Sequence, residues 1–422
     1  MEKKYLASLK FMSTNLLSII KKKISTFLSH EKIDHNLISV FAIEIIKTLK
    51  NNKFDAYIVG GAIRDILTGL KPKDFDIATN ATPEEVRAIF KKSRIIGRRF
   101  QIVHVIKNYE TIEVSTFRSP PQNRVKMANG IFKDNEFGSI NEDAARRDFT
   151  CNALYYDPID NKLIDFYDGT LAIKKKQLTL IGDPKIRFVE DPIRILRAIR
   201  FSAKLDMPLN ASLSDQINKS VDLLGTVPYS RLFDEIMKLF LTGHAVESMR
   251  LFKEFQLAKH YFPSVLNPQY IDFINQGLIN TDFRILNNKS INPGFLLAIF
   301  LWSDVKIAWD KNITNHHPSI ALNEAIESTM HKQSKLFLIQ KRFSITMSEI
   351  WRLQPRFDNL NPKRIYRLSG HPRFRAAYDF LLLRSLHDKS LNTSAAWWTN
   401  FMSADENTKS EMIQQRNTKK YA

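Results

Sequence analysis

Tyr57-Ile58-Val59-Gly60-Gly61-Ala62-Ile63-Arg64-Asp65, followed by Asp74-Phe75-Asp76, is the most informative segment of the chain. Tyr57 to Val59 predicts a buried strand, and the diglycine predicts a tight turn after it. Ala62 to Thr68 predicts a helix, stopped by Gly69 and Pro72. A turn of this kind leaves backbone N–H groups free at the helix start, and glycines let a phosphate approach them. An ordinary strand-to-helix turn is the plain alternative. Arg64, one turn in, either holds phosphate or pairs with Asp65. Asp74 to Ala78 predicts a second strand, with Asp74 and Asp76 on one face and Phe75 toward the core. Two carboxylates so placed suit magnesium, which keeps most of its waters and binds through one or two carboxylates plus substrate phosphates.

On either side of this segment the texture changes. Ile33 to Leu49 has apolar residues at helical spacing, after a leader of residues 1–30. Thr82-Pro83-Glu84-Glu85 is a capping box with Pro at the first helical position, opening a helix to about Lys92. Gln101 to Ile106 and Thr111 to Phe117 predict a hairpin across Asn108-Tyr109. Within it Glu113 faces away from Ile112 and Val114, and it joins Asp74 and Asp76 if the hairpin lies beside their strand. An exposed strand glutamate is the alternative. Residues 118–141 predict a loop. Beyond Asp168 the strand signals nearly vanish, and helices are expected over about 190–205, 230–241, 245–256, 295–303, 321–340 and 372–387. The last twenty residues are expected to fray.

The chain has 422 residues, with 63 Lys+Arg against 44 Asp+Glu and a formal charge of +19. Such an excess favours a polyanionic partner, because released counterions drive binding to phosphate backbones. Cys151 is the one cysteine, so no intramolecular disulfide can form, which fits a cytoplasmic location. The His residues show no zinc spacing, and no apolar run is long enough to span a membrane.

Gly60-Gly61-x2-Arg64-Asp65 with Asp74-x-Asp76 resembles the signature of the class II CCA-adding enzyme and bacterial poly(A) polymerase family of nucleotidyltransferases. Two later segments carry the same resemblance. Glu142-Asp143-x2-Arg146-Arg147-Asp148-Phe149-Thr150-x-Asn152-Ala153 looks like the family segment that contacts the ribose and triphosphate, and Asp148 there is often counted with the essential carboxylates. Glu190-Asp191-Pro192-x-Arg194-x2-Arg197 looks like the motif that reads the incoming base, and a carboxylate with a guanidinium can imitate a base-pairing edge. Asp191, Arg194 and Arg197 are expected on one helix stripe.

The resemblance implies an α+β fold: a polymerase-β-like nucleotidyltransferase head with a small mixed sheet (31–168), then an all-α neck (169–225), body (226–330), C-terminal domain (331–405) and flexible tail (406–422). It implies catalytic Asp74, Asp76, Glu113 and Asp148, the first three also holding two magnesium ions, with manganese as an alternative. Gly60, Gly61, Arg64, Asp65, Arg147, Asn152, Asp191, Arg194 and Arg197 are the implied nucleotide contacts. Arg98, Arg99 and Arg118 are the expected RNA contacts. The expected partners are ATP and RNA 3′ ends, with no stable membrane insertion, for a cytoplasmic monomer.

Within the family, Gly97-Arg98-Arg99-Phe100-x3-His104-Val105, the length of chain before the diglycine, and His371-Pro372-x-Phe374-Arg375 favour the poly(A) branch over CCA addition. The long Arg/Lys-rich tail common in that branch is almost absent. Basic residues of the helical half, among them Lys363, Arg364 and Arg367, alternate with Phe343, Trp351, Phe357, Tyr366 and Phe374. Such mixing suits a surface that tracks phosphates and stacks bases, while aromatics at helical spacing equally suit a core.

Overall fold

Ser39 accepts hydrogen bonds from the N–H groups of Phe41 and Ala42, so the first helix, α1 (Val40–Asn51), begins there and not at Ile33. The structure, a computed structural model, describes residues 33–97, 101–119, 137–314 and 316–418. The leader 1–30, Arg98, Arg99 and most of the expected 118–141 loop lie outside the described residues.

Seven strands follow: β1 (Ala56–Val59), β2 (Asp76–Thr79), β3 (Ser93–Ile96), β4 (Ile102–Lys107), β5 (Glu110–Thr116), β6 (Leu154–Asp157) and β7 (Lys162–Asp165). They form one sheet in the order β3-β4-β5-β2-β1-β6-β7. Only β2 and β5 run parallel, so the sheet is mixed, as expected. The diglycine opens α2 (Gly61–Leu67), and the Thr82–Glu85 capping box opens α3 (Pro83–Ile89).

One boundary differs where it matters. The strand expected from Asp74 begins at Asp76, because β1 leaves the sheet at Gly60, immediately after Val59 has paired with Asp76. Asp74 therefore precedes the strand, and Phe75 is only half-buried.

The remaining helices of this part of the chain are α4 (Ile140–Arg146), α5 (Gly169–Lys174), α6 (Pro184–Glu190), α7 (Ile193–Leu205) and α8 (Ala211–Ser220). The helix expected over about 190–205 starts at Ile193, after a separate helix that ends at Glu190. Asp191 is extended (φ −150°, ψ 93°) and Pro192 precedes α7, so Asp191 does not share a helix stripe with Arg194 and Arg197. Proline disfavours helical backbone in the residue before it, which accounts for the break.

Two compact units divide the chain, one ending at Ser220 and the other beginning at Val221, inside the expected neck. The second unit is all-helical: α9 (Tyr229–Phe240), α10 (Ala245–Glu254), α11 (Leu257–Tyr261), α12 (Ile271–Leu286), α13 (Pro293–Asn312), α14 (Pro318–Leu336), α15 (Lys341–Leu353), α16 (Pro362–Ser369), α17 (Phe374–His387), α18 (Asn392–Ser403) and α19 (Glu406–Thr418). Buried residues run continuously from Leu296 to Ser303, so this stretch of α13 is enclosed on all sides. Even so, no described helix is long and apolar enough to cross a membrane.

Trp351, Phe357 and Phe374, read as possible base-stacking residues, are core, whereas Tyr366 stands 60% exposed on α16. The segment from Glu406, expected to fray, is helical through Thr418 and buries Ile413 in the last core cluster.

Asp282 ties α12 to α10. Buried, it accepts the N–H groups of Ala245 (2.6 Å) and Val246 (3.1 Å). Burial pushes its carboxyl up to about 6, against the pull of both donors. The folded-state value stands above the unfolded one. Its stabilising contribution is therefore fully present below about pH 4 and lost as pH rises through about 6. We expect wild type to lose about 2–3 kcal/mol relative to Asp282→Asn between pH 4 and 7. Denaturant titrations at stepped pH check this; parallel curves for the two proteins would contradict it.

Candidate active site

Parallel pairing of β2 with β5 sets Asp76 beside Glu113, Ile77 beside Val114 and Ala78 beside Ser115. Paired residues of adjacent strands share a face, so the two carboxylates point the same way while Ile77 and Val114 enter the core. On the other side of β2, Val59 pairs with Asp76. The diglycine turn, which continues from Val59, consequently lies at the same end of the sheet as the acidic pair. His104, paired with Glu113 across the hairpin, brings Nε2 within 3.3 Å of Glu113 Oε1, though without hydrogen-bond geometry.

Gly60 has φ +67° and ψ −121°, a region for glycine. A methyl group there would meet Arg147 Nη1 at 3.1 Å and Asn152 O at 3.8 Å. Arg147 ends α4 over this turn. It is held by Asp143 Oδ2 (3.1 Å from Nη2), the Tyr155 hydroxyl (2.9 Å) and the Asn152 carbonyl (3.2 Å). Burial works against its charge, but Tyr155 and Asp143 outweigh burial and its pKa is raised. Arg118 is half-buried beside the same pair, with its backbone N–H on Asp143 Oδ1 (3.3 Å).

A second network starts from Asp148. Burial opposes its charge, yet Arg197, Asn152 and the Phe149 N–H together hold its pKa below the ordinary value. Arg197 Nε lies 2.6 Å from Asp148 Oδ2, and Asn152 Nδ2 lies 2.9 Å from Oδ1. Asn152 Oδ1 in turn accepts from Arg64 Nη1 at 2.6 Å. Arg64 also bonds Asp65 (Nε to Oδ1, 2.9 Å), whose other oxygen takes Lys204 Nζ at 2.9 Å. Of the two roles considered for Arg64, the pairing with Asp65 is the one this geometry displays.

The expected base-reading segment is anchored to α4. Arg187 Nη2 donates to the carbonyls of Arg146 (2.9 Å) and Arg147 (2.6 Å), and Glu190 bridges Arg187 and Arg194. Arg194 Nη1 also donates to the Arg187 carbonyl at 2.9 Å. Cations on the last carbonyls of a helix are favourable, so these arginines fix the backbone that carries Arg147 and Asp148.

The acidic pair suits a divalent cation. Burial, then the Glu113 charge, and least the Asp74 charge, push the Asp76 carboxyl up to about 6, although its tip is accessible and Arg147 pulls it down. A cation would relieve those repulsions, and magnesium takes one or two carboxylates. Among the described residues no three His, Cys, Asp or Glu side chains stand close enough to share one ion. The structure therefore brings Asp76 and Glu113 together, leaves Asp74 within electrostatic reach, and puts Asp148 in a separate, arginine-bound network. Tyr155, Arg187 and Lys204 were not anticipated, and Asp143 stood in its motif without a role. The spacing of Asp143 from Arg147, and of Lys204 from Arg197, was legible, whereas contacts among distant segments leave no local pattern.

Family models match three parts of the chain. The poly A polymerase head domain covers residues 56–179, the probable RNA and SrmB-binding site of polymerase A covers 206–267, and the polymerase A arginine-rich C-terminus covers 314–422. Poly(A) polymerase I of Escherichia coli O6:H1 is 39% identical over 79% of this chain and 76% of its own. The CCA-adding enzyme of Geobacillus sp. is 35% identical over 56% of this chain and 57% of its own. Among solved structures, the Bacillus stearothermophilus CCA-adding enzyme in complex with CTP aligns with a TM-score of 0.57 and 25% identity, covering 84% of this chain and 81% of that one.

Gly60→Ala tests the turn. It should cost about 1–3 kcal/mol from backbone strain alone and displace Arg147, so the melting temperature falls and nucleotide affinity drops with it. A variant that melts like wild type would show that the turn is not strained as described.

Proposed function

The chain belongs to the bacterial poly(A) polymerase family, and from that premise we infer that it adds AMP from ATP to RNA 3′ ends without a template, releasing pyrophosphate. The observation that carries the chemistry is the in-register pair Asp76–Glu113 beside the Gly60 turn. In this reading Asp76 and Glu113, with Asp74 nearby, hold two magnesium ions, or manganese in their place. When bound, such ions supply activation of the attacking 3′-hydroxyl and charge relief on the departing pyrophosphate.

The chain's own residues do the rest. Gly60 and Gly61 let the triphosphate approach the backbone at the start of α2. Arg147, held over that turn, offers positive charge beside it. Asp148 and Asn152 orient Arg197 and Arg64, and Asp191 with Arg194 recognises adenine in place of a template. Gathering the 3′-hydroxyl and the α-phosphate in one site removes the entropy cost of their encounter. The net charge of +19 supports RNA as the acceptor, with Arg118 and the expected Arg98 and Arg99 along its path. We place the enzyme in the cytoplasm, as a monomer whose tails mark RNA for decay or processing.

Addition of CCA to tRNA is the second reading. The curated CCA-adding relative matches little more than half of the chain, which favours poly(A) synthesis. Labelled ATP or CTP with an arbitrary RNA separates the two. Long A-tracts are expected, and strict addition of C, C and A to trimmed tRNA would overturn the choice.

Asp76→Asn should cut AMP addition by at least about a thousandfold, because the acidic pair loses half its charge, while RNA binding in a filter assay stays within about twofold. Undiminished addition would reject the metal-holding role.

A further inference from the structure

On α7, Arg197, Arg200, Phe201 and Lys204 fall at helical spacing along one stripe. Arg197 meets Asp148 and Lys204 meets Asp65. Between these two ion pairs sits Phe201, 4% exposed. The guanidinium carbons of Arg200, Arg64 and Arg197 lie 4.4, 4.9 and 5.3 Å from its ring centre. Phe149 packs its ring against the same residue at 5.6 Å and 76°.

Three guanidinium groups around one ring call for an explanation. Like charges repel, yet these three groups are drawn to within 5.3 Å of the centre of one buried ring. An aromatic face carries partial negative charge and attracts a guanidinium within about 6 Å, more strongly where water is excluded. A buried aliphatic residue of similar size would fill the space without this attraction. Phe201 is also too enclosed to stack on a base, so any effect on the reaction passes through the arginines.

We propose that Phe201 is a positioning residue for ATP: its ring seats Arg64, Arg197 and Arg200 and fixes the arrangement of the cations that meet the nucleotide. This rests on the adenylyltransferase reading. It concerns α2, the segment after α4 and α7, which carry three motifs far apart in the sequence. Phe201 is the point where side chains from all three converge.

The test uses the purified full chain, with KM for ATP, KM for RNA and kcat measured separately. Phe201→Leu should raise KM for ATP about tenfold, with KM for RNA within about twofold and kcat within about threefold. Phe201→Tyr keeps the ring face and should restore KM for ATP to within about twofold of wild type. Should Phe201→Leu melt below the assay temperature, Phe201→Met, closer in volume, takes its place with the same expectation. The inference is overturned if the leucine and tyrosine variants raise KM for ATP equally. It also falls if both KM values rise together, or if Phe201→Leu matches wild type. A wild-type chain that adds no AMP would instead sink the proposed function, so the two failures are distinguishable.

Discussion

Two negative charges are forced side by side where β2 and β5 pair. Like charges on paired strand positions destabilise a sheet, and Asp76 and Glu113 occupy such positions. The sheet has no low-cost escape. Sliding either strand by one residue would turn Ile77 or Val114, both buried, toward the acidic face. The apolar core thus enforces a repulsion that a bound cation would relieve. In the proposed metal-holding role, affinity for the cation would be drawn from the energy of folding.

Oriented cations lie a short way along the same chain. Arg147 is clamped by Asp143 and Tyr155, while Arg197 and Lys204 are anchored on Asp148 and Asp65. Each cation is held by a partner that fixes its direction. Positive charge oriented in advance, beside the Asp76–Glu113 pair, complements a triphosphate. Orientation before the ligand arrives matters more than the number of charges, because groups that need not reorganise during the reaction stabilise its transition state most.

Much of this was legible because short-range rules govern it. The diglycine turn, the Thr82–Glu85 capping box and the β4–β5 hairpin each depend on a few neighbouring residues, and each formed where the spacing put it. What escaped was set by partners distant in sequence. β6 reads Leu-Tyr-Tyr-Asp, buried throughout, and lacks the alternation that marks a half-exposed strand. The start of β2 depended on where β1 leaves the sheet; the break at Asp191, by contrast, follows from the adjacent Pro192 and was open to a local reading. Asp148 was expected among the essential carboxylates, but its neighbours are Arg197 and Asn152 and not the other carboxylates.

The sheet order carries a consequence for how the molecule is made. β1, the strand that delivers the diglycine, is flanked by β2 on one side and by β6 on the other, with Ile58 opposite Tyr156. Its second neighbour therefore emerges from the ribosome long after it does, and non-local pairings of this kind form slowly. Until Tyr155 arrives, Arg147 lacks one of the partners that hold it over Gly60. A nascent chain stalled before that point would carry every acidic residue of the centre yet could not assemble it, so competence arrives only when the head has been translated to its last strands.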